Sequence, residues 1–225
     1  MFNDFISLLF PHCCRISNIP LARGEKYIST AYANSLPKYD LHFANKNLER
    51  KFSGLVNAKH VVAYYKFSKK SGVQKILHQI KYNNLPEVGE LTGRWFGYAL
   101  IEAGYQDKFD LLLPIPLHKA KKRKRGYNQS DYIAKGMAEA LQTKWSGDIL
   151  QRIVNTHTQT KKGRAERFSN TENIYTIQSP KRVVDQRILI VDDVITTGAT
   201  ITQCGHLLYG AGCKEVNIAA LAAAE

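Results

Sequence analysis

Residues Arg187–Thr202 read RILIVDDVITTGATIT and form the most informative segment of this chain. The apolar run Ile188–Val191 is typical of a strand buried on both faces of a parallel sheet. Two adjacent acids, Asp192 and Asp193, follow this run. Because ligands bind at the carboxyl ends of the strands in open α/β folds, the segment predicts a strand end that presents two carboxylates to a ligand.

Hydroxyl and small side chains follow the acid pair: Thr196, Thr197, Gly198, Ala199 and Thr200. At a helix start, backbone N–H groups and hydroxyls close around a phosphate, and the helix dipole favours its negative charge. Glycine at position 198 permits a close backbone approach that a Cβ would block. Acceptors for hydroxyl groups beside donors for a phosphate predict a sugar-phosphate site.

Two other phosphate-binding motifs are excluded for this segment. No lysine follows the glycine as in a Walker A loop, and the GxGxxG dinucleotide pattern is missing. A purely structural interpretation is the alternative, in which a threonine caps the helix and both carboxylates are solvated. The strict order of strand, paired acids, threonine-rich turn and helix favours a functional site.

Apolar periodicity along the rest of the chain predicts alternating strands and helices, and therefore an α/β fold with a parallel sheet flanked by helices. Residues 1–55 show no sustained period and are expected to be irregular. Strands are predicted at Val61–Phe67, Phe109–Leu113, Ile149–Val154 and Val216–Leu221. Helices are predicted over 70–82 and 86–103, then one with Tyr132, Ile133, Met137, Ala140 and Leu141 on one face, and one ending at Gly210 or Gly212. A basic loop over 117–126 and a long polar loop over 155–173 are also predicted.

Composition places the chain among ordinary globular proteins. Of its 225 residues, 44% are hydrophobic and 23% charged, which excludes a mostly disordered chain, a fibre and a disulfide-dense miniprotein. The net charge of +13 indicates an anionic partner, which is nucleic acid, a phosphorylated small molecule or a membrane surface. No run approaches the ~20 apolar residues of a membrane span, and signal-peptide features are missing. We therefore expect a cytoplasmic protein without a membrane span.

Positive charge is concentrated in Lys119–Arg125 (KAKKRKR) and in the polar loop over 155–173. Arginine grips phosphate oxygens with two parallel hydrogen bonds. A charged run is also often a solvated face or a nucleic-acid patch, and this interpretation suits the lysines of the first run, Lys121, Lys122 and Lys124. The candidate pyrophosphate-binding arginines are Arg123, Arg125, Arg164 and Arg167.

These segments together resemble a known family. The sequence VDDVITTGAT, residues 191–200, is similar to the phosphoribosyl-diphosphate (PRPP) binding motif of type I phosphoribosyltransferases. The flanking motifs narrow the resemblance to the ComF (competence protein F) family, whose members are amidophosphoribosyltransferase-like. Together these motifs cover about 110 residues of the chain. They are Pro114–His118, Arg125–Gln129, and Thr158 and Gln159 with Arg167 and Asn170.

The resemblance implies a type I phosphoribosyltransferase fold and a role for each segment. Asp192 and Asp193 would be the catalytic pair, holding the ribose hydroxyls, and residues 196–200 would surround the 5′-phosphate. Pro116 and Leu117, in the loop after the strand Phe109–Leu113, would lie at the pyrophosphate. The 155–173 segment would close over the site. Mg²⁺ would arrive with PRPP, bridging pyrophosphate and ribose hydroxyls, with no direct protein ligand.

Members of the family often begin with a four-cysteine zinc ribbon, and residues 1–55 resemble a degenerate form of it. Cys14 stands where a first ligand would be, and Ser17, Ser29 and Tyr32 would occupy the other positions. Because hydroxyls replace thiolates, we expect no zinc. The division implied is a zinc-ribbon remnant over 1–55 and a phosphoribosyltransferase domain over 56–225.

Two further points concern the cysteines and the aromatic residues. The four cysteines form no CxxC pair and are expected to be free thiols. The alternative is a metal site in which His12 and His42 join Cys14.

An aromatic group forms either a hood over the site or part of the core. Its members are Tyr64, Tyr65, Trp95 and Tyr98.

Three functional hypotheses follow. The first is a phosphoribosyltransferase that transfers phosphoribose to an amine or nucleobase and releases pyrophosphate. The second is a non-catalytic PRPP- or nucleotide-binding competence protein whose basic surface contacts single-stranded DNA. The third is a degenerate scaffold that binds neither. The acceptor and self-association into a homodimer are left open by the sequence.

Overall fold

A computed structural model describes residues 11–153 and 174–224 of the chain. Five parallel strands form a central sheet in the order β1-β7-β6-β2-β3, and two short strands, β4 and β5, pair in an antiparallel ribbon. The α/β class predicted from the sequence is confirmed. The strands are β1 (Ala58–Phe67), β2 (Leu111–Pro114), β3 (Lys144–Trp145), β4 (Leu150–Arg152), β5 (Tyr175–Ile177), β6 (Arg187–Ile195) and β7 (Glu215–Ala224).

Helices cover both faces of the sheet, and the helices predicted over 70–82 and 86–103 begin and end close to those bounds. Residues 1–55 were predicted to be irregular, but two short helices form there, at Thr30–Ser35 and Lys46–Arg50. Pro86 occupies the first turn of the longest helix, where its missing N–H needs no partner. The helices are α1 (Thr30–Ser35), α2 (Lys46–Arg50), α3 (Gly72–Tyr82), α4 (Pro86–Glu102), α5 (Lys119–Arg125), α6 (Gln129–Leu141) and α7 (Ala199–Gly210), with a short 3₁₀ turn at Pro180–Arg182.

Strand β6 lies in the middle of the sheet and separates two hydrophobic clusters. Leu189 and Val191 belong to the cluster packed under α3, α4 and α6, whereas Ile188 and Ile190 belong to the cluster shared with α7. This alternation is the period-two pattern of a strand whose two faces are both covered. The buried run therefore fixes which way the residues that follow it point.

The two neighbours of β6 end at different places. Pairing with β2 stops at Pro114, opposite Val191, whereas pairing with β7 continues to Ile195. Proline lacks the N–H that a longer ladder would need. The residues of β6 beyond Val191 consequently have a strand on one side only, which leaves the other side open at the carboxyl edge.

Two sequence predictions need correction in this part of the chain. The predicted basic loop over 117–126 is wrong, because Lys119–Arg125 forms helix α5, and the His118 ring nitrogen Nδ1 accepts the N–H of Ala120 at its start. The strand predicted at Ile149–Val154 exists as β4, but it pairs with β5 outside the central sheet. Sequence periodicity could not reveal α5, since none of its residues is buried.

Residues 11–55 are not separate from the core. Cys14 and Ile28 lie in the cluster beneath α3, and Leu48 and Phe52 lie in the cluster beneath α7. The division of the chain at residue 55 stays a prediction, with side chains from both parts packed together. Within 11–153 and 174–224, no helix combines the length and apolarity needed to cross a bilayer.

Candidate functional site

Two adjacent acids, the acid pair, stand on β6 where β2 has ended. Asp193 is 6% exposed and Asp192 is partly exposed. The Asp192 oxygen Oδ1 accepts the backbone N–H of Asp193 at 2.8 Å and the Ser130 hydroxyl at 3.3 Å. Burial, together with the charge of Asp193, raises the pKa of Asp192 well above its usual range. The acid pair therefore accepts hydrogen bonds, and the charge of Asp192 depends on its burial and on the neighbouring charged groups.

A cation that the sequence predictions missed completes this arrangement. The Lys81 ammonium Nζ, in the last turn of α3, lies 2.5 Å from Asp193 Oδ2. The Lys81 side chain is 25% exposed and that of Asp193 is 9% exposed. No pattern around Lys81 distinguishes it from the other lysines of this basic chain, so only the packing of α3 on the sheet reveals it.

The threonine turn, residues 196–200, follows the acid pair and begins α7. Thr196 and Thr197 are exposed, and Thr197 Oγ1 accepts the N–H of Ala199 at 3.5 Å. Gly198 is buried in the left-handed region at φ +78°. An ideal Cβ there would lie 2.7 Å from a ring carbon of Phe52. The missing side chain at Gly198 therefore leaves room for the Phe52 ring. The sequence predictions did not include this contact.

The loop that carries Pro116 and Leu117 is anchored from two sides. The Ile115 N–H donates to the Val191 carbonyl at 2.8 Å, and the Asn128 amide donates to the Ile115 carbonyl at 3.0 Å. Asn128 is 3% exposed and occupies the N-cap position of α6, although its side chain makes no capping hydrogen bond. Pro116 and Leu117 are partly buried. The loop is therefore held beside the acid-bearing strand.

The predicted arginines differ in their surroundings. Arg125 is partly buried, donates a hydrogen bond to Gln129 and lies over the Tyr82 ring, 5.5 Å from its centroid. Arg123 is exposed on α5. Arg164 and Arg167 lie outside the described residues, as does most of the segment expected to close over the site.

The aromatic group is divided between core and surface. Tyr65 is fully buried, and Tyr64 is 6% exposed and stacks on Phe96 with ring centroids 5.2 Å apart. Trp95 and Tyr98 line, with Tyr64, a cavity of about 350 Å³. For Tyr64 and Tyr65, packing is the better description than a hood.

Comparisons with known proteins relate part of the chain to a phosphoribosyl transferase domain. Residues 131–225 match the model of the family described as phosphoribosyl transferase domain. Competence protein F of Haemophilus influenzae is 28% identical over 153 residues, covering 66% of this chain and 67% of that protein. DNA utilization protein YhgH of Escherichia coli K12 is 27% identical over 146 residues, covering 64% and 63%. Competence protein ComFC of Bacillus subtilis is 33% identical over 108 residues, covering 48% and 42%.

These matches support the ComF family with a type I phosphoribosyltransferase fold. It spans about two thirds or less of the length of these curated relatives. Among solved structures, the glutamine PRPP amidotransferase of Bacillus subtilis has a TM-score of 0.44 at 19% identity, covering 63% of this chain and 30% of that one. The purine phosphoribosyltransferase of Pyrococcus horikoshii has a TM-score of 0.40 at 20% identity, covering 59% and 74%.

The four positions that resemble the ComF zinc ligands lie around one sulfur. Cys14 is 2% exposed, and its Sγ accepts the Ser17 N–H at 3.5 Å. Burial raises the pKa of the Cys14 thiol, but hydrogen bonds from Ser17, Ser29 and Ile16 outweigh it, so the pKa is lowered. Burial and the Cys14 charge raise the pKa of Tyr32.

This donor set does not suit zinc. One thiol and three hydroxyl side chains replace the four thiolates or imidazoles of a structural zinc site. Among residues 11–153 and 174–224, no three His, Cys, Asp or Glu side chains cluster as metal ligands do. All four cysteines are free thiols, as the sequence predicted.

Proposed function

We propose that this chain binds PRPP at the acid pair and the threonine turn and transfers its phosphoribose group to an amine or nucleobase. The observation that carries the proposal is the open side of β6: two carboxylates stand where β2 has ended, next to the exposed threonines of the α7 start. The acids would accept hydrogen bonds from the ribose hydroxyls. The turn would donate N–H and hydroxyl hydrogen bonds to the 5′-phosphate.

In the proposed reaction, an acceptor nitrogen forms a bond to the anomeric carbon of PRPP. The carbon–oxygen bond to pyrophosphate breaks, pyrophosphate leaves with the electron pair, and the acceptor nitrogen loses a proton. The acid pair would orient the ribose and favour the positive charge that develops on it, so catalysis would rest on positioning and electrostatics. Arg123 and Arg125 are the described candidates for contact with the departing pyrophosphate.

Magnesium fits this site only as part of the ligand complex. Asp193 already pairs with Lys81, and Asp192 Oδ1 already accepts two hydrogen bonds. The described residues therefore offer no ready cage of carboxylates for a free cation. Mg²⁺ carried by the phosphate oxygens of PRPP would neutralise part of the pyrophosphate charge.

Calorimetry with PRPP and Mg²⁺ tests the binding proposal. We expect the natural chain to bind and Asp193→Asn to lose at least about tenfold in affinity, or about 1.4 kcal/mol. Glu87→Gln, which removes an exposed carboxylate on α4, is the matched control and should bind as the natural chain does. No binding by the natural chain would overturn the proposal.

Turnover separates an enzyme from a sensor. Pyrophosphate release that requires an added amine or nucleobase, and that Asp193→Asn abolishes, supports a transferase. PRPP binding without pyrophosphate release, whether an amine or a nucleobase is added, supports a non-catalytic sensor. Such a sensor would use the same site without carrying out the reaction.

We also propose a contact with single-stranded DNA through α5. The supporting observation is that six of its seven residues are basic and none is buried. Two relatives carry names that refer to competence and DNA utilization. An exposed basic helix binds phosphates without sequence preference, and its affinity falls steeply with salt.

Binding of a fluorescent oligonucleotide as a function of salt concentration tests this contact. Changing Lys121 and Lys124 to Gln should flatten the slope of log affinity against log salt by about 0.7 for each lost phosphate contact. Asp193→Asn should leave the slope unchanged. An unchanged slope in the lysine variant would place DNA binding elsewhere or exclude it.

A further inference from the structure

Lys81 is the feature of the site that neither the sequence nor the comparisons assign. We propose that Lys81 is a positioning residue of the PRPP site, which holds the Asp193 carboxyl in place and lets an anionic ligand lie against two acids. This inference rests on the proposed function and adds one residue, from a different element, to the same site.

The first step of the argument is the charge of the acid pair. Two carboxylates on consecutive residues of a largely buried part of β6 repel each other, and burial alone favours their neutral forms. Lys81 Nζ lies 2.5 Å from Asp193 Oδ2, close enough to offset this repulsion. Because Asp193 is nearly buried, removing the cation would leave a buried acid without its partner, which is unfavourable.

The second step is how rigidly Lys81 is held. Its neighbour Ile80 is fully buried, and the Ile80 carbonyl accepts a hydrogen bond from the buried Tyr127 hydroxyl. Lys81 also stands in the last turn of α3, where the helix dipole favours a cation. The ammonium group is therefore delivered to Asp193 by the packing of α3.

The third step is the effect on a ligand. PRPP carries several negative charges and would enter beside two carboxylates, which would repel it if both were unpaired. Lys81 pairs with Asp193 and so leaves fewer unpaired carboxylate oxygens to repel the ligand. The Lys81 side chain is one quarter exposed, so it is not fully enclosed by protein.

The groups that determine the pH response of this pair come from three elements. Lys81 faces it from α3, Asp192 adjoins it on β6, and Cys204 on α7 interacts electrostatically with Asp192. Ser130 on α6 contributes a hydroxyl that does not titrate in this range. The Lys81 charge lowers the pKa of Asp192, so loss of Lys81 should raise that pKa.

The test compares Lys81→Met with Lys75→Met, which removes an exposed lysine of the same helix, and with Lys81→Arg, which keeps the charge. PRPP–Mg²⁺ affinity is measured by calorimetry over about pH 5 to 8. We expect Lys81→Met to lower affinity at least about tenfold at neutral pH and to move the onset of binding to higher pH. Lys75→Met should match the natural chain, and Lys81→Arg should restore most of the affinity.

The outcomes separate this inference from the proposed function. Failure of the natural chain to bind PRPP overturns the proposed function, and this inference with it. Normal binding by the natural chain, with the same affinity and pH profile in Lys81→Met, overturns the role of Lys81 alone. Should Lys81→Met not fold, Lys81→Gln carries the same expectation, and carbon-13 NMR of the Asp192 carboxyl should show titration at higher pH than in the natural chain.

Discussion

Gly198 lies against the ring of Phe52, so closely that an ideal Cβ at position 198 would lie 2.7 Å from Phe52 Cε1. Phe52 is 1% exposed and comes from the region before the first strand of the sheet. The shape of the threonine turn therefore depends on a side chain far away in the sequence. The region that resembles a zinc-ribbon remnant, over 1–55, thus contributes packing to the proposed phosphate site.

Gly198→Ala should destabilise the protein by about 1–3 kcal/mol, because the left-handed backbone and the Phe52 ring both oppose a side chain. The free energy of unfolding in urea measures this. Gly210→Ala is the control: it lies in the same helix with nothing within 4 Å of the new Cβ, and it should be neutral or slightly stabilising. Equal stability of both variants would refute the close contact.

The ion pair between Asp110 and Arg187 predicts a pH-dependent contribution to stability. Arg187 donates to both Asp110 oxygens, at 2.6 and 3.0 Å, and these hydrogen bonds lower the pKa of Asp110. A lowered folded-state pKa stabilises the protein above the unfolded-state value of about 3.9, and this contribution is lost as pH falls through the folded-state pKa. Asp110→Asn should therefore cost about 1–2 kcal/mol at neutral pH and little in strong acid.

Urea unfolding of the Asp110 variant at several pH values checks this sign. Asp185→Asn, at an exposed position with φ +58° that asparagine also tolerates, should change stability little at any pH. A cost for Asp110→Asn that stays constant into strong acid would show that the charge of Asp110 is not its source.

Asn128→Ala should loosen the loop that carries Pro116 and Leu117. The Asn128 amide donates to the Ile115 carbonyl at 3.0 Å and to Asp131 Oδ1 at 2.7 Å. Leaving the buried Ile115 carbonyl without its donor costs about 1–3 kcal/mol. Thermal unfolding measures the loss, with the exposed Asn47→Ala on α2 as a control that should be neutral or slightly stabilising. An unchanged melting temperature would remove Asn128 as an anchor.

We also propose that residues 11–55 fold without zinc, because three of the four ligand positions are hydroxyls. Excess chelator should leave the melting temperature unchanged, whereas zinc-dependent folds unfold in chelator. Changing Ser17, Ser29 and Tyr32 together to Cys should create a four-thiolate site around Cys14 that binds zinc.

Metal analysis of the purified proteins decides this prediction. Adding Cys14→Ser to the triple variant should weaken zinc binding again, since the fourth thiolate is then missing. Stoichiometric zinc in the natural chain, or its unfolding by chelator, would show that other residues hold a metal.

Local signals along the chain predicted most of the fold. The apolar run before Asp192, the amphipathic spacing of α3 and the proline and glycine at the ends of α4 all act through neighbouring residues. Helix α5 was missed because a helix without a buried face has no apolar periodicity. The pairing of β4 with β5 was missed because a short strand carries no signal for its partner.

The sequence by itself determined that two acids follow a buried apolar run and that a threonine-rich turn begins the next helix, because backbone sterics and burial periodicity act over a few residues. That the strand continues past the acids to Ile195, through pairing with β7, was not predicted. Only the tertiary structure decided that Lys81 pairs with Asp193 and that Phe52 packs against Gly198. Those contacts join elements distant in the chain, and they depend on how helices pack on the sheet. That packing is a property of the whole core, which no local pattern encodes.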